Sequence, residues 1–170
     1  MDLGKFIRDI PDFPKKGILF KDITPLLGDS KGFTEAVDKI ADHFKDKKID
    51  RIAGIESRGF ILGSALALRM GVGFIPIRKP GKLPYKTRRC EYKLEYGSDA
   101  VEIHEDAVRK NQRILLVDDV IATGGTAVAA KTLLRDLGAD LVGIAFLVEL
   151  KELKGCEKLA GENIYSVLSY

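Results

Sequence analysis

The segment Ile114-Leu115-Leu116-Val117-Asp118-Asp119-Val120-Ile121-Ala122-Thr123-Gly124-Gly125-Thr126 sets two adjacent carboxylates after an apolar run and follows them with small and hydroxyl-bearing residues. A loop of that composition exposes successive backbone N–H groups. Where it opens into a helix, the positive end of the helix dipole adds to them, and a phosphate fits there. Gly124 and Gly125 let the backbone approach an anion, and Thr123 and Thr126 offer hydroxyl donors. Two acids beside an anion site would repel it unless they served something else, such as sugar hydroxyls or a magnesium shell. Asp118 taken alone reads as an ordinary strand-end residue and a threonine here as a helix N-cap; the full run asks for more.

Two other stretches carry charge in a pattern that suits an anion. Glu56-Ser57-Arg58-Gly59 stands between an apolar strand and an apolar helix, so its amides and Arg58 point towards a ligand. The mundane reading of Arg58 is a surface ion pair with Glu56, worth little if exposed. From Arg78 to Lys93 there are seven cations (Arg78, Lys79, Lys82, Lys86, Arg88, Arg89, Lys93) and one anion, Glu91. This stretch also holds Pro80, Gly81 and Pro84, so it reads either as a basic lid for a small polyanion or as a solvated loop.

Weaker signals fall away on context. Gly28-Asp29-Ser30-Lys31-Gly32 has the spacing of a hydrolase elbow, but Thr24-Pro25 breaks any preceding strand, and Asp29 or Ser30 is better placed to cap a helix. His43 and His104 sit on segments that read as exposed faces, without metal-ligand spacing. No Gly-x-x-x-x-Gly-Lys-[Ser/Thr] occurs, and Gly71-Val72-Gly73 lacks the third glycine of a dinucleotide fingerprint, which argues against kinase and dehydrogenase chemistry.

The elements that must position these residues alternate. Arg51–Ile55, Val72–Ile77, Arg113–Val117 and Leu141–Val148 read as buried strands, with Arg113–Val117 central. Phe33, Val37, Ile40, Ala41 and Phe44 form one helical stripe; Phe60–Met70 is apolar almost all round, as a buried helix should be, with Gly71 placed to stop it. Ala130, Leu133, Leu134 and Leu137 mark a third helix ending at Gly138. Leu94–Gly97 and Ala100–His104 suggest a hairpin turning at Gly97-Ser98-Asp99. The expected fold is α/β, a mainly parallel central sheet flanked by helices. Residues 1–30, interrupted by Pro11, Pro14, Gly17 and Pro25, read as a separate flap across the carboxyl edge of the sheet.

Composition agrees with one domain over residues 1–170. The chain is 45% hydrophobic and 31% charged, which excludes disorder and fibre. Its net charge of +3 is too small for whole-surface nucleic-acid binding, and outside Arg78–Lys93 the balance is negative. The longest apolar run, Leu141–Val148, is far short of the roughly 20 residues that span a bilayer. No signal peptide is visible and the two cysteines, Cys90 and Cys156, are far apart, so a cytoplasmic protein is expected.

Val117-Asp118-Asp119-Val120-Ile121-Ala122-Thr123-Gly124-Gly125-Thr126 resembles the phosphoribosyl pyrophosphate signature of the type I phosphoribosyltransferases, and its Ala-Thr-Gly-Gly-Thr ending resembles the adenine-specific branch. Members acting on 6-oxopurines usually have Asp where Ala122 stands. Gly17–Pro25 resembles the amino-terminal hood of that branch, Glu56–Phe60 its pyrophosphate loop, and residues 78–96 its mobile catalytic loop. The four stretches keep the family order over nearly the whole chain. Tyr85–Cys90 departs from the family in being more basic, and no role is assigned to Arg88, Arg89 or Cys90.

The resemblance implies a type I phosphoribosyltransferase fold and transfer of a phosphoribosyl group to adenine, giving AMP and pyrophosphate. It implies that Ala122, Thr123, Gly124, Gly125 and Thr126 hold the 5′-phosphate, and that Asp118 and Asp119 hold the ribose hydroxyls. Glu56, Ser57, Arg58, Lys79 and Lys82 would face the pyrophosphate. Phe20 would stack on the base while main-chain groups of Leu19 and Lys21 read its edge. Glu95 would exchange a proton with the purine, and its neighbour Tyr96 would touch substrate. Magnesium would arrive with the pyrophosphate rather than in a dedicated protein cage, and a homodimer is expected. Two alternatives stay open: a transferase for another purine such as xanthine, and a non-catalytic regulator sensing phosphoribosyl pyrophosphate. The regulator reading lacks a helix-turn-helix pattern among the roughly 50 residues before the first core strand.

Overall fold

A computed structural model describes residues 1–93 and 97–170. Five parallel strands form the central sheet: β3 (Arg51–Ile55), β4 (Gly73–Ile77), β7 (Arg113–Ile121), β8 (Asp140–Glu149) and β9 (Ile164–Ser169). Their order is β4-β3-β7-β8-β9, so β7 is the middle strand. Two antiparallel hairpins complete the strands, β1 (Arg8–Pro11) with β2 (Leu19–Asp22), and β5 (Thr87–Lys93) with β6 (Ser98–His104). The helices are α1 (Thr24–Gly28), α2 (Ser30–His43), α3 (Arg58–Met70) and α4 (Gly125–Asp136). No helix among the described residues is long and apolar enough to cross a membrane.

Alternation along the strands divides the core in two. Ile52, Leu115, Val117, Ala145 and Leu147 pack on one face with α2 and α3; Ala53, Ile55, Ile114, Leu116, Ile144 and Phe146 pack on the other with α4 and the β5–β6 hairpin. Both faces of the sheet are therefore covered, which is why its strands read as unbroken apolar runs.

Several boundaries differ from the sequence reading. Strand β7 does not stop at Val117 but runs on to Ile121, with Asp118 paired to Phe146, Val120 to Val148 and Ile121 to Glu149, so both acids stand on a paired strand rather than in a loop. Helix α3 begins at Arg58, and it is not buried all round: Ile61 and Leu68, seven residues apart on one face, are 45% and 85% exposed. The basic stretch is partly strand, with Lys93 paired to Ser98, so Ser98 and Asp99 lie in β6 rather than in a turn. Of the strand expected at Leu94–Gly97, residues 94–96 lie outside the described residues. The flap is less separate than expected. Its tip is the β1–β2 hairpin, but Leu3, Ile23 and Leu26 are buried in the same core as α2. Strand β9 and the 3-10 turns at Lys151–Leu153 and Gly155–Leu159 were not anticipated.

Candidate active site

At the carboxyl ends of β3 and β7 a cavity of about 390 Å3 opens, lined by Ile55, Glu56, Ser57, Arg58, Lys79, Asp118, Asp119, Val120 and Thr126. A smaller one of about 100 Å3 adjoins it, lined among others by Asp118 and by Ala122 to Thr126. The two share Asp118, Val120 and Thr126. Strand order explains the convergence: β3 and β7 are neighbours, and the loop after each opens into its own helix, α3 or α4.

The acid pair forms the cavity floor. Asp118 accepts a hydrogen bond from the Asp119 amide through Oδ1 at 2.8 Å. The start of α3 lies close against it: a Cβ on Gly59 would sit 2.7 Å from Asp118 Oδ1 and 3.2 Å from the Val117 carbonyl oxygen, so only glycine lets helix and strand approach this closely. Asp119 is 5% exposed and pairs with Arg58, Nε to Oδ2 at 2.6 Å. No hydrogen-bond geometry is met at Oδ2, so the contact is a charge pair. Burial lifts the Asp118 carboxyl well above the usual carboxylate range, and the charge of Asp119 adds to it. Burial also raises Asp119, against the pull of the Arg58 guanidinium.

Arg58 thus meets Asp119 rather than Glu56, and its guanidinium also lies over the Phe20 ring, 4.9 Å from the centroid. Residues from the hood, the first turn of α3 and the middle strand come together in one contact. Phe13 closes edge-on against Phe20 at 5.1 Å. Glu56 instead holds the base of the basic arm: Oε2 accepts from Arg78 Nε at 3.1 Å and Nη2 at 3.0 Å, and Oε1 from the Lys79 amide. The Lys79 ammonium is held in turn by the Asp99 carboxylate and by the Tyr92 hydroxyl at 2.9 Å, while Tyr92 donates to Asp99 at 3.2 Å. Asp99 and Tyr92 escaped the sequence reading because a turn and a basic loop were expected there.

Leu19, Lys21 and Lys82 line neither cavity. Leu19 is exposed, and β2 has a partner only on its β1 side among the described residues, which leaves main-chain groups on its outer edge open. The Lys21 side chain is buried, paired with Asp9 at 2.6 Å and lying over the Tyr170 ring at 4.0 Å, so it anchors the hood rather than facing the cavity. Lys82 is exposed and lines neither cavity; its carbonyl accepts from Arg78 at 3.3 Å. Glu95 and Tyr96 lie outside the described residues.

The phosphate-type loop has the expected form. Gly124 is the N-cap of α4 with φ +81°, and no hydrogen bond from the amides of Thr123 to Thr126 finds an acceptor among the described residues. Among the described residues these donors at the helix start are without a partner. For a cation the donors are two carboxylates, one already paired to Arg58, and no group of three or more His, Cys, Asp or Glu among the described residues could hold a metal. Magnesium is usually bound through one or two carboxylates plus substrate phosphates, and this donor set fits an ion of that kind.

A family model described as the phosphoribosyl transferase domain matches residues 27–168. The chain is 56% identical over 168 residues to the adenine phosphoribosyltransferase of Halothermothrix orenii, covering 99% of each. Its structure superposes on that of adenine phosphoribosyltransferase from Thermoanaerobacter pseudethanolicus with a TM-score of 0.97 at 51% identity, covering 99% of this chain and 98% of the other. The Saccharomyces cerevisiae enzyme, solved with an imino-altritol bisphosphate and adenine, matches with a TM-score of 0.92 at 40% identity, over 98% and 96% of the two chains.

Proposed function

We infer the reaction from the family to which the chain belongs, the phosphoribosyltransferases and within them the adenine phosphoribosyltransferases. The enzyme transfers the 5-phosphoribosyl group of phosphoribosyl pyrophosphate to adenine, giving AMP and pyrophosphate, a step of purine salvage. The bond from the anomeric carbon to the pyrophosphate oxygen breaks, the bond to the purine nitrogen forms, and the purine gives up a proton.

The observation that carries this reading is the meeting of Phe20, Arg58 and Asp119 beside the free amides of the Gly124 loop. The loop from Ala122 to Thr126 holds the 5′-phosphate, so binding energy far from the reacting carbon positions the sugar. Asp118 and Asp119 hold the ribose hydroxyls and set negative potential beside a carbon that becomes cation-like. Glu56 and Ser57 shape the pyrophosphate turn. Arg58 moves from Asp119 to the pyrophosphate as charge grows there, with Lys79 beside it and Lys82 brought in as residues 78–96 close. Closure excludes water, whose attack on the activated sugar is the competing reaction. Phe20 stacks on the base, the open edge of β2 near Leu19 and Lys21 supplies a donor and an acceptor to it, and Glu95 takes the purine proton with Tyr96 alongside.

Magnesium bound with the pyrophosphate substrate would face the Asp118 and Asp119 carboxylates and would supply charge neutralisation of the leaving group. The paired exposure of Ile61 and Leu68 on α3 favours a homodimer through that face. Free thiols at Cys90 and Cys156 suit a reducing cytoplasm. The test is turnover by the purified chain of adenine, hypoxanthine, guanine and xanthine with phosphoribosyl pyrophosphate. Adenine is expected to be preferred at least about 100-fold, since a 6-oxopurine reverses the donor and acceptor pattern. Preference for a 6-oxopurine overturns the assignment.

A further inference from the structure

The turn after β8 belongs to no motif, yet its backbone packs directly against the backbone of the phosphate-type loop. We propose that Gly155 is a positioning residue for the 5′-phosphate subsite. Its bare backbone is the surface against which Ala122–Thr126 is shaped, and any side chain there pushes the loop off its anion. The proposal rests on the reading that this loop takes the phosphate.

A Cβ on Gly155 would overlap the Ala122 carbonyl oxygen and stand 2.8 Å from Ile121 Cγ1 and 3.0 Å from the Gly124 nitrogen. In the other direction, a Cβ on Gly124 would lie 2.6 Å from the Gly155 carbonyl oxygen. Two of these contacts are with loop backbone, which cannot swing aside as a flexible side chain would. Gly155 is not in the left-handed region, so its conformation does not call for glycine; space alone does.

Neither partner has room to retreat. The turn is pinned by Leu159, fully buried in the core that also holds Ile121, Ala127 and Phe146. It is further fixed by the Leu150 amide, which donates to the Ile121 carbonyl at 3.0 Å. On the loop side, Ile121 ends the β7–β8 ladder and Ala127 is buried in α4. Between these fixed points the amides of Thr123 to Thr126 must converge on one anion, and a displacement of about 1 Å in such an arrangement costs on the order of 100-fold.

The test uses the full chain. Gly155→Ala is expected to raise KM for phosphoribosyl pyrophosphate about tenfold and to lower kcat/KM for it about 100-fold. KM for adenine, which the loop does not touch, should stay within about twofold. Leu159→Ala loosens the seat of the turn without filling the contact. It is expected to shift the same constant in the same direction, and it decides the matter if Gly155→Ala does not fold. An unchanged KM for phosphoribosyl pyrophosphate in the folded variant, or an equal rise for both substrates, overturns the proposal. Should the parent fail to convert adenine, the functional reading falls. Affinity for ribose 5-phosphate, measured by calorimetry in parent and variant, would then still judge Gly155 by the same selective loss.

Discussion

Two parts of the molecule bring charge to the same cavity by opposite means. The floor, from β7 and the starts of α3 and α4, sets Asp118, Asp119 and the glycine loop on elements whose other face is core: Leu115, Leu116 and Val117 are fully buried. The β5–β6 arm presents its cations on a strand that is mostly exposed, joined to the floor by Lys79, Arg78 and their carboxylates. Burial fixes the floor, and side-chain charge pairs hold the arm. Buried hydrophobic contacts do not exchange partners, whereas an ammonium passes from a carboxylate to a phosphate at little cost in geometry. The difference separates residues that must stay still from residues that must change partners.

The comparison breaks most visibly at the acids. Asp118→Asn and Asp119→Asn should each lower kcat/KM about 100- to 1000-fold, the range for removing one preorganised electrostatic partner. Because the amide preserves shape, the midpoint of thermal unfolding should move by no more than about 3 °C, the shift that roughly 1 kcal/mol makes in a chain of this size. Steady-state kinetics and calorimetry check both halves, and a large fall in midpoint would make the acids structural.

A second contrast concerns stability alone. Leu116→Ala in the floor should cost about 2–5 kcal/mol in urea unfolding. Arg89→Ala, which removes the exposed pair with Glu91 on the arm, should change it by no more than about 0.5 kcal/mol. Similar losses for the two would erase the distinction.

The smallest effect concerns how the arm is pinned. Burial works to raise the Asp99 carboxyl, but hydrogen bonds from Lys79 and the Ala100 amide outweigh it and leave it below its ordinary 3.8. Burial likewise works to lower Lys79, and the bonds to Asp99 and Tyr92 hold it above 10.5. A depressed acid contributes fully above its unfolded value and loses the contribution as pH falls through its folded value. A raised base contributes fully below its unfolded value and loses the contribution as pH rises through its folded value. The stability difference between parent and Asp99→Asn, about 1 kcal/mol or less because both groups are a third exposed, should therefore be flat from pH 3.8 to 10.5 and shrink beyond each end. Urea titrations across pH measure it; a slope through neutrality would exclude this pair as the pin.

The floor was legible in the sequence because its signals are local. An apolar run, two acids, small residues and a 3.6-residue stripe at Ala130–Leu137 all lie in one stretch of chain. The arm was legible as charge but not as structure, since Arg88, Arg89 and Lys93 hide the inward pair of Cys90 and Tyr92 that packs on the core. The partner of Arg58 was out of reach: Asp119 becomes its neighbour only through pairing of β3 with β7. Gly155 offers a lone glycine in a charged turn, a pattern without periodicity or spacing, and only the approach of two backbones gives it meaning.

Lys79 is moored twice, by its amide to Glu56 and by its tip to Asp99 and Tyr92. One side chain thereby bridges the seam between sheet and arm, and a tug on either shore is felt on the other. Attaching a dye, a crosslinker or a bulky tag near the outer arm is for that reason no remote perturbation: its mechanical load is delivered directly to the turn that carries Glu56.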